Sequence, residues 1–386
     1  MIRRLAPAIF GCLLASACVW PVPQPGDPVP TIETSSEWSA ASGTLTLAVT
    51  TAHLTPTRVR VYPDGINGTW AEQTTAPFVF DLDTAELPAE ADTLLVLATD
   101  GTTVVLEVEP IPSTSCNGHR SLCAVAYDEV RTITTHNAMS NATDGWIGPN
   151  QTFDVPAQLD AGVRGLMLDT YRAGDLNSFG QPQVPGVDPD QAYLCHAFCS
   201  LGSQLLVDGL AEIREHLEDD PGAVVTLIIE SYLDHGLTAA AFDASGLTPY
   251  AYVHDGPDWP TLGEMVDAGE RLVVLQDRSV DPAHPWLMNV WDHAFETHFS
   301  ASVPGDFSCT DNRGTPDNDL FILNHFLTEV FGSPELAAQV NGNPFLINRA
   351  QECEAFHSRA ANFVTVDFHE IGDVAAAVAT LNATPS

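Results

Sequence analysis

The chain has 386 residues, with 51 Asp and Glu against 14 basic residues and a formal net charge of −37. All 14 bases are arginines and lysine is absent, so Schiff-base and phosphate-loop lysine chemistry are excluded, and nucleic acids and anionic membranes are repelled. With 45% hydrophobic and 17% charged residues, the acid excess sits on a chain apolar enough to pack a core.

Residues 1–17 read as an export signal. Arg3 and Arg4 precede an apolar stretch from Leu5 to Leu14, shorter than the roughly 20 residues a membrane span needs. Ala15-Ser16-Ala17 fits a cleavage site, and Leu14-Ala15-Ser16-Ala17-Cys18 resembles a bacterial lipobox. The product is therefore either a secreted protein or a lipoprotein acylated at Cys18, attached to the cell surface or outer membrane by that anchor. Residues 18–32, rich in proline, read as an extended tether. Six cysteines remain, and local pairs are expected: Cys116–Cys123, Cys195–Cys199 and Cys309–Cys353. The alternative for Cys195-His196-x-x-Cys199 is a metal site.

Residues 33–110 show short alternating apolar runs: Thr44–Val49, Arg58–Tyr62, Phe78–Leu82, Thr93–Leu97 and Thr103–Val108. With Pro63-Asp64-Gly65 and Asp100-Gly101 as turns, they predict a small β-sandwich. The segment resembles bacterial immunoglobulin-like modules, which implies a spacer, an adhesive module or an inert cap. From residue 116 to 386 strands alternate with helices. The strands are predicted at Thr132–His136, Gly165–Thr170, Ala192–Ala197, Val224–Glu230, Arg271–Gln276, Met288–Trp291, Phe321–Asn324 and Phe363–Phe368. Helices are predicted after Ser203, at Thr261–Ala268 and at Asp373–Leu381. Eight such strands over this length predict an α/β fold, a (β/α)8 TIM-type barrel behind the sandwich.

In a barrel of this kind, polar residues that close apolar strands gather at the carboxyl rim. The predicted strands end in His136-Asn137, Asp169 with Arg172 beyond, Cys195-His196, Glu230, Asn324-His325 and Asp367. Two histidines on one rim suit proton transfer at both ends of a displacement, and carboxylates with Asn137 offer hard oxygen ligands to calcium or magnesium. The set suits phosphodiester cleavage, and no GxSxG, HExxH or GxxxxGK motif competes. Arg164 and Arg172 bracket the site at the second strand.

The stretches Thr135-His136-Asn137, Gly162-Val163-Arg164-Gly165-Leu166-Met167-Leu168-Asp169-Thr170-Tyr171, Leu194-Cys195-His196 and Val224–Glu230 resemble the phosphatidylinositol-specific phospholipase C X-domain group. Asp258-Trp259-Pro260-Thr261-Leu262 and Arg271-Leu272-Val273-Val274 extend the likeness, which is nearest to the extracellular X-domain proteins. The resemblance implies that His136 is the general base, that His196 is the general acid, and that Asp367 orients His136. A cyclic phosphodiester is then the first product.

The resemblance further implies that Asn137, Asp169 and Glu230 hold Ca2+, although Met167 stands where the calcium-dependent branch has a further acid. In the metal-free alternative Arg172 takes the ion's place. Arg172, Asn324 and His325 are the expected substrate-binding residues. The partner is a phosphodiester, lipid or soluble, and the charge favours a soluble one or a lipid met in salt. No nucleic acid and no protein partner is inferred. The competing reading is a surface-anchored binding lipoprotein, catalytically weak or inactive, that uses the barrel pocket for a polyol or phosphate.

Overall fold

The computed structural model describes residues 29–63, 70–83, 93–110, 115–329 and 331–383. The leader, Cys18, the Pro run as far as residue 28 and the turn expected at Asp64-Gly65 lie outside these residues.

Alternation of apolar and polar side chains gives strands with one buried face, and the N-terminal region follows that rule. Strands β1 (Thr31–Ser39), β2 (Thr44–Ala52) and β5 (Phe78–Asp83) form one antiparallel sheet. Strands β3 (Arg58–Pro63), β4 (Ala71–Gln73), β6 (Thr93–Thr99) and β7 (Val104–Pro110) form a second, in the order β4-β3-β6-β7. Leu45, Leu47, Phe80, Leu94, Val96 and their neighbours share the apolar layer. All five predicted strands are present; β1 and β4 were not anticipated, β1 because Thr31–Ser39 is polar at most positions.

The remainder is built on a parallel sheet of eight strands: β8 (Thr132–Thr135), β9 (Val163–Arg172), β12 (Val225–Ser231), β13 (Leu272–Gln276), β14 (Leu287–Asn289), β15 (Ala294–Glu296), β16 (Leu320–Asn324) and β17 (Phe363–Val366). Its order is β14-β13-β12-β9-β8-β17-β16-β15, so each strand lies beside its neighbour in the series and β8 joins β17. Among the described residues no ladder joins β14 to β15, which are linked by the four-residue helix α5 (Val290–His293).

One predicted strand needs correction. Ala192–Ala197 is not a member of the parallel series. Only β10 (Ala192–Leu194) forms there, antiparallel to the overhanging end of β9 and to β11 (Gln204–Leu205). A parallel neighbour requires a crossover, and the connection from β9 to β10 carries no helix. The place in the series is taken by β15, whose three residues Ala-Phe-Glu were too few to register as a strand.

Strand parity separates two layers. Along β12, Val225, Leu227 and Ile229 join the cluster facing the helices, whereas Ile228 joins an inner cluster with Val273, Leu275, Met288, Ile322 and Phe363. Helix α2 (Leu206–Asp219) presents Leu206, Leu210, Ile213 and Leu217 to the outer layer, the spacing expected of its apolar stripe. The other helices are α1 (Val155–Asp160), α3 (His235–Ser245), α4 (Leu262–Ala268), α6 (Pro334–Val340), α7 (Phe345–His357) and α8 (Val374–Ala383). Thr261 and Glu264 close a capping box on α4.

The three disulfides are those expected from local pairing: Cys116–Cys123, Cys195–Cys199 and Cys309–Cys353. Bonded to each other, Cys195 and Cys199 have no thiolate to offer a metal, so the alternative metal site is ruled out. The sandwich docks through the β1–β2 turn on α4. Asp267 accepts hydrogen bonds from the Ala40 and Ala41 backbone amides (3.0 and 3.2 Å). Gly263 permits the approach, since a Cβ there would lie 2.4 Å from the Ala40 carbonyl oxygen. Among the described residues no helix is long and apolar enough to cross a membrane.

Candidate active site

The carboxyl ends of the parallel strands open into a cleft of about 500 Å³. Gln151 fixes the backbone beneath it, donating to the carbonyls of His136 (2.9 Å) and Val366 (3.1 Å) and so tying the ends of β8 and β17 together. His136 follows β8 and Asp367 follows β17. The His136 imidazole meets the Asp367 carboxylate through Nδ1 at 2.9 Å and stacks on Phe326 with ring centres 3.9 Å apart. An ionised carboxylate only accepts, so Nδ1 carries the proton and Nε2 presents a lone pair to the cleft. Asn150 donates to both oxygens of Asp367 (3.2 and 3.3 Å), which fixes the carboxylate in turn.

His196 arrives from the loop after β10, not from the end of a parallel strand. The Asn137 Nδ2 lies 3.2 Å from His136 Nε2 and 3.4 Å from His196 Nε2, so one amide group sits between the two imidazoles. Burial, then the neighbouring His136, lower the pKa of His196. Each of His136, His196 and Asp367 is followed by a non-glycine residue in the left-handed region: Asn137 (φ 47°), Ala197 (φ 57°) and Phe368 (φ 47°). Such backbone costs about 1–3 kcal/mol per residue and persists where the surroundings over-determine it.

Asp169 and Glu230 face each other across the β9–β12 register and both line the cleft. Asp169 is buried, and its side chain has no hydrogen-bond or ion-pair partner among the described residues. Burial, then Glu230 and Asp277, raise its pKa well above the usual carboxylate value. Two acids and the Asn137 amide suit a hard cation in charge, since a positive ion would relieve this repulsion. They are few for calcium, which takes six to eight oxygens, and Met167 lines the cleft two residues before Asp169 on the same face. Among the described residues no three His, Cys, Asp or Glu side chains are grouped to hold a metal.

Three expected residues do not reach the cleft. Arg172 follows Tyr171 on β9; Tyr171 lines the cleft, so the period of two turns Arg172 away, where it pairs with Asp190. The same parity puts Asn324 inside and His325 outside. His325 is fully buried, donates through Nε2 to the Val340 carbonyl (2.9 Å) and meets Arg349 at Nδ1 (3.2 Å). Burial and Arg349 bring its pKa down to about 3, a neutral core histidine. Arg164 is held by the Leu159 and Val163 carbonyls and by Asp220, outside the cleft.

The cleft has an arginine that the strand-end rule missed. Arg313 lies in the loop before β16, bound to Glu296 through Nε (2.5 Å) and Nη2 (3.1 Å) and stacked over Trp291 (4.5 Å) and Phe299 (5.0 Å). Asn324 donates to the same Glu296 (3.0 Å). Arg313 has no periodic signal around it; the scarcity of basic residues was the one available clue. Asn150 and Gln151 were missed for the same reason, lying in an irregular loop. Tyr171 stacks on Tyr232 (4.4 Å), and the Tyr232 hydroxyl donates to Glu230, pushing that phenol up to about 12.

The family model for the PI-PLC X domain matches residues 122–382. The chain belongs to the PI-PLC X family. A PI-PLC X domain-containing protein of Arthroderma benhamiae is 29% identical over 307 residues, covering 72% of this chain and 93% of the relative. An uncharacterised secreted protein of the same fungus is 27% identical, covering 69% of this chain and 63% of its own length. A PI-PLC X domain-containing protein of Arabidopsis thaliana is 26% identical over 62% of this chain and 58% of that relative. Among solved structures, a β-glucuronidase from an uncultured Clostridium is 12% identical, with a TM-score of 0.23, over 85% of this chain and 52% of that one. All of the cleft residues named above fall inside the PI-PLC X match.

Proposed function

We propose that this PI-PLC X protein is a phosphodiesterase of the phospholipase C type, with His136 as general base and His196 as general acid. The observation that carries this reading is the convergence of both imidazole Nε2 atoms on one amide of Asn137, with Asp367 behind His136. His136 Nε2 takes the proton of a substrate hydroxyl as its oxygen attacks phosphorus. The negative charge of the bound diester opposes the burial that lowers the His196 pKa, and the protonated imidazole gives its proton to the departing alkoxide oxygen as a cyclic phosphodiester is released. Asp367 stabilises the imidazolium that forms on His136. A calcium ion, if bound, would be held by Asp169, Glu230 and Asn137 and would supply positive charge against the anionic diester.

Arg313, Glu296 and Asn324 form a hydrogen-bonding group in the same cleft that suits a polyhydroxylated alcohol, as in an inositol phosphodiester. The parallel sheet is read as a (β/α)8-type barrel with its seam between β14 and β15, because residues from both sides of that gap line one cleft. The sandwich is read as an immunoglobulin-like spacer. Export, with anchoring through Cys18 or release, follows from the leader, and a relative is described as secreted. The test is hydrolysis of a chromogenic inositol phosphodiester, with and without calcium. His136→Ala and His196→Ala should each lower kcat about 10²–10⁴-fold. Variants as active as wild type would refute the mechanism, and binding without turnover by the wild type would favour the surface binding protein.

A further inference from the structure

His136 and His196 are held in different ways. His136 has a carboxylate on Nδ1 and a stacked Phe326. The His196 ring has one hydrogen-bond partner among the described side chains, Asn137 at Nε2, and none at Nδ1. What surrounds His196 instead is backbone. It lies within the five-residue ring that Cys195 and Cys199 close. Both cysteines are buried, and both belong to the apolar layer beneath the helices. Inside the ring, Ala197 adopts φ 57°, and buried Gln183 donates to the Ala197 carbonyl (3.1 Å) and accepts from the Cys199 amide (3.2 Å). The Cys195 amide is tied to the Asp169 carbonyl (3.2 Å), so the ring starts from the strand that carries the acid of the cleft.

We propose that the Cys195–Cys199 disulfide, with Gln183, is the positioning element of His196, doing through the backbone what Asp367 does for His136 through a side chain. The proposal rests on the acid/base reading above. Loop-closure entropy grows with loop length, and this bond spans 4 residues where the others span 7 and 44. It therefore constrains the unfolded chain least of the three, and its effect is local. Function follows from that. A dithiol that opens the bond, itself closing to a disulfide while Cys195 and Cys199 become thiols, leaves the left-handed turn at Ala197 held only by Gln183 and the Phe198 amide on the His196 carbonyl (2.5 Å). His196 then samples several orientations, and catalysis is lost while the rest of the fold stands. Competence of the site is thereby tied to an oxidising compartment.

The experiment is the Cys195→Ser/Cys199→Ser double variant of the full chain, assayed on the chromogenic inositol phosphodiester. Its kcat should fall at least tenfold, with KM within about threefold of wild type. The backbone order parameters of His196 and Ala197 should drop from rigid values of about 0.85 toward 0.6. Unchanged kcat and order parameters would overturn the proposal. Should the variant fail to fold, wild-type protein is titrated with dithiothreitol and each disulfide is mapped by mass spectrometry. Activity must then disappear with the opening of Cys195–Cys199; loss that follows another disulfide, or no loss, overturns it. His136→Ala keeps the two ideas apart: full activity there refutes the acid/base reading, while the order parameters still judge the ring.

Discussion

Asp169 shows most plainly what single residues contribute. A buried carboxylate with no donor, facing Glu230 and Asp277, is costly when ionised, and its pKa is raised for that reason. The folded state then binds more protons than the unfolded one between the ordinary carboxylate pKa of about 3.9 and the raised value. Stability contributed by the protonated form is present at low pH and is lost as pH rises through that window. Asp169→Asn should therefore raise the urea midpoint at pH 7.5 in metal-free buffer, with the gain shrinking toward pH 4. A lower midpoint at pH 7.5 would show that the acid is satisfied in the fold. The same substitution should abolish any calcium stimulation of turnover. His136, His196, Asn137 and Asp367 were readable as a set because each closes or follows an apolar run. Asn150, which holds Asp367, was not, since a loop asparagine looks the same whether it caps a turn or supports an acid of the cleft.

At the scale of elements, parity decides membership of the cleft. The sequence places Arg172 and His325 one residue from Tyr171 and Asn324, but a one-residue step on a strand reverses the face. Arg172 ends in a solvent-exposed pair with Asp190, of a kind that contributes little. Arg313 is clamped by Glu296 and two aromatic rings in the cleft. Arg172→Ala should leave kcat/KM within about twofold of wild type. Arg313→Ala should raise KM about 10- to 100-fold, the loss of charge-assisted hydrogen bonds worth about 1.5–3 kcal/mol. The reverse ranking in steady-state kinetics would show that the parity assignment is wrong. The strand series was largely legible from its apolar runs. Its two errors differ in cause: Ala192–Ala197 was read as a parallel strand because pairing direction is set by the connections and not by an apolar run, and Ala294–Glu296 was left out because three residues are too short a run to register.

For the whole molecule, the dominant quantity is charge. A net −37 without lysine opposes any anionic substrate at long range, and the cleft adds Asp169, Glu230, Asp277 and Glu296 around Arg313. Salt shortens the Debye length from about 10 Å at 0.1 M to about 3 Å at 1 M. KM for a soluble aryl phosphodiester should accordingly fall several-fold between 0.05 and 1 M NaCl, at near-constant kcat. A KM that rises with salt would mean that Arg313 or a bound cation outweighs the field of the chain. Composition and motif order alone determined the acidity, the pairing of the cysteines, the run of β-strands ahead of the α/β segment and the histidine pair, because these depend on residue identity and local spacing. Only the tertiary structure decided that Arg313 and not Arg172 enters the cleft, that His325 is a core residue, and that His196 comes from a loop and not from a parallel strand. Those outcomes depend on which face a side chain takes and which distant loops meet, and both are fixed by strand pairing and packing across the whole sheet.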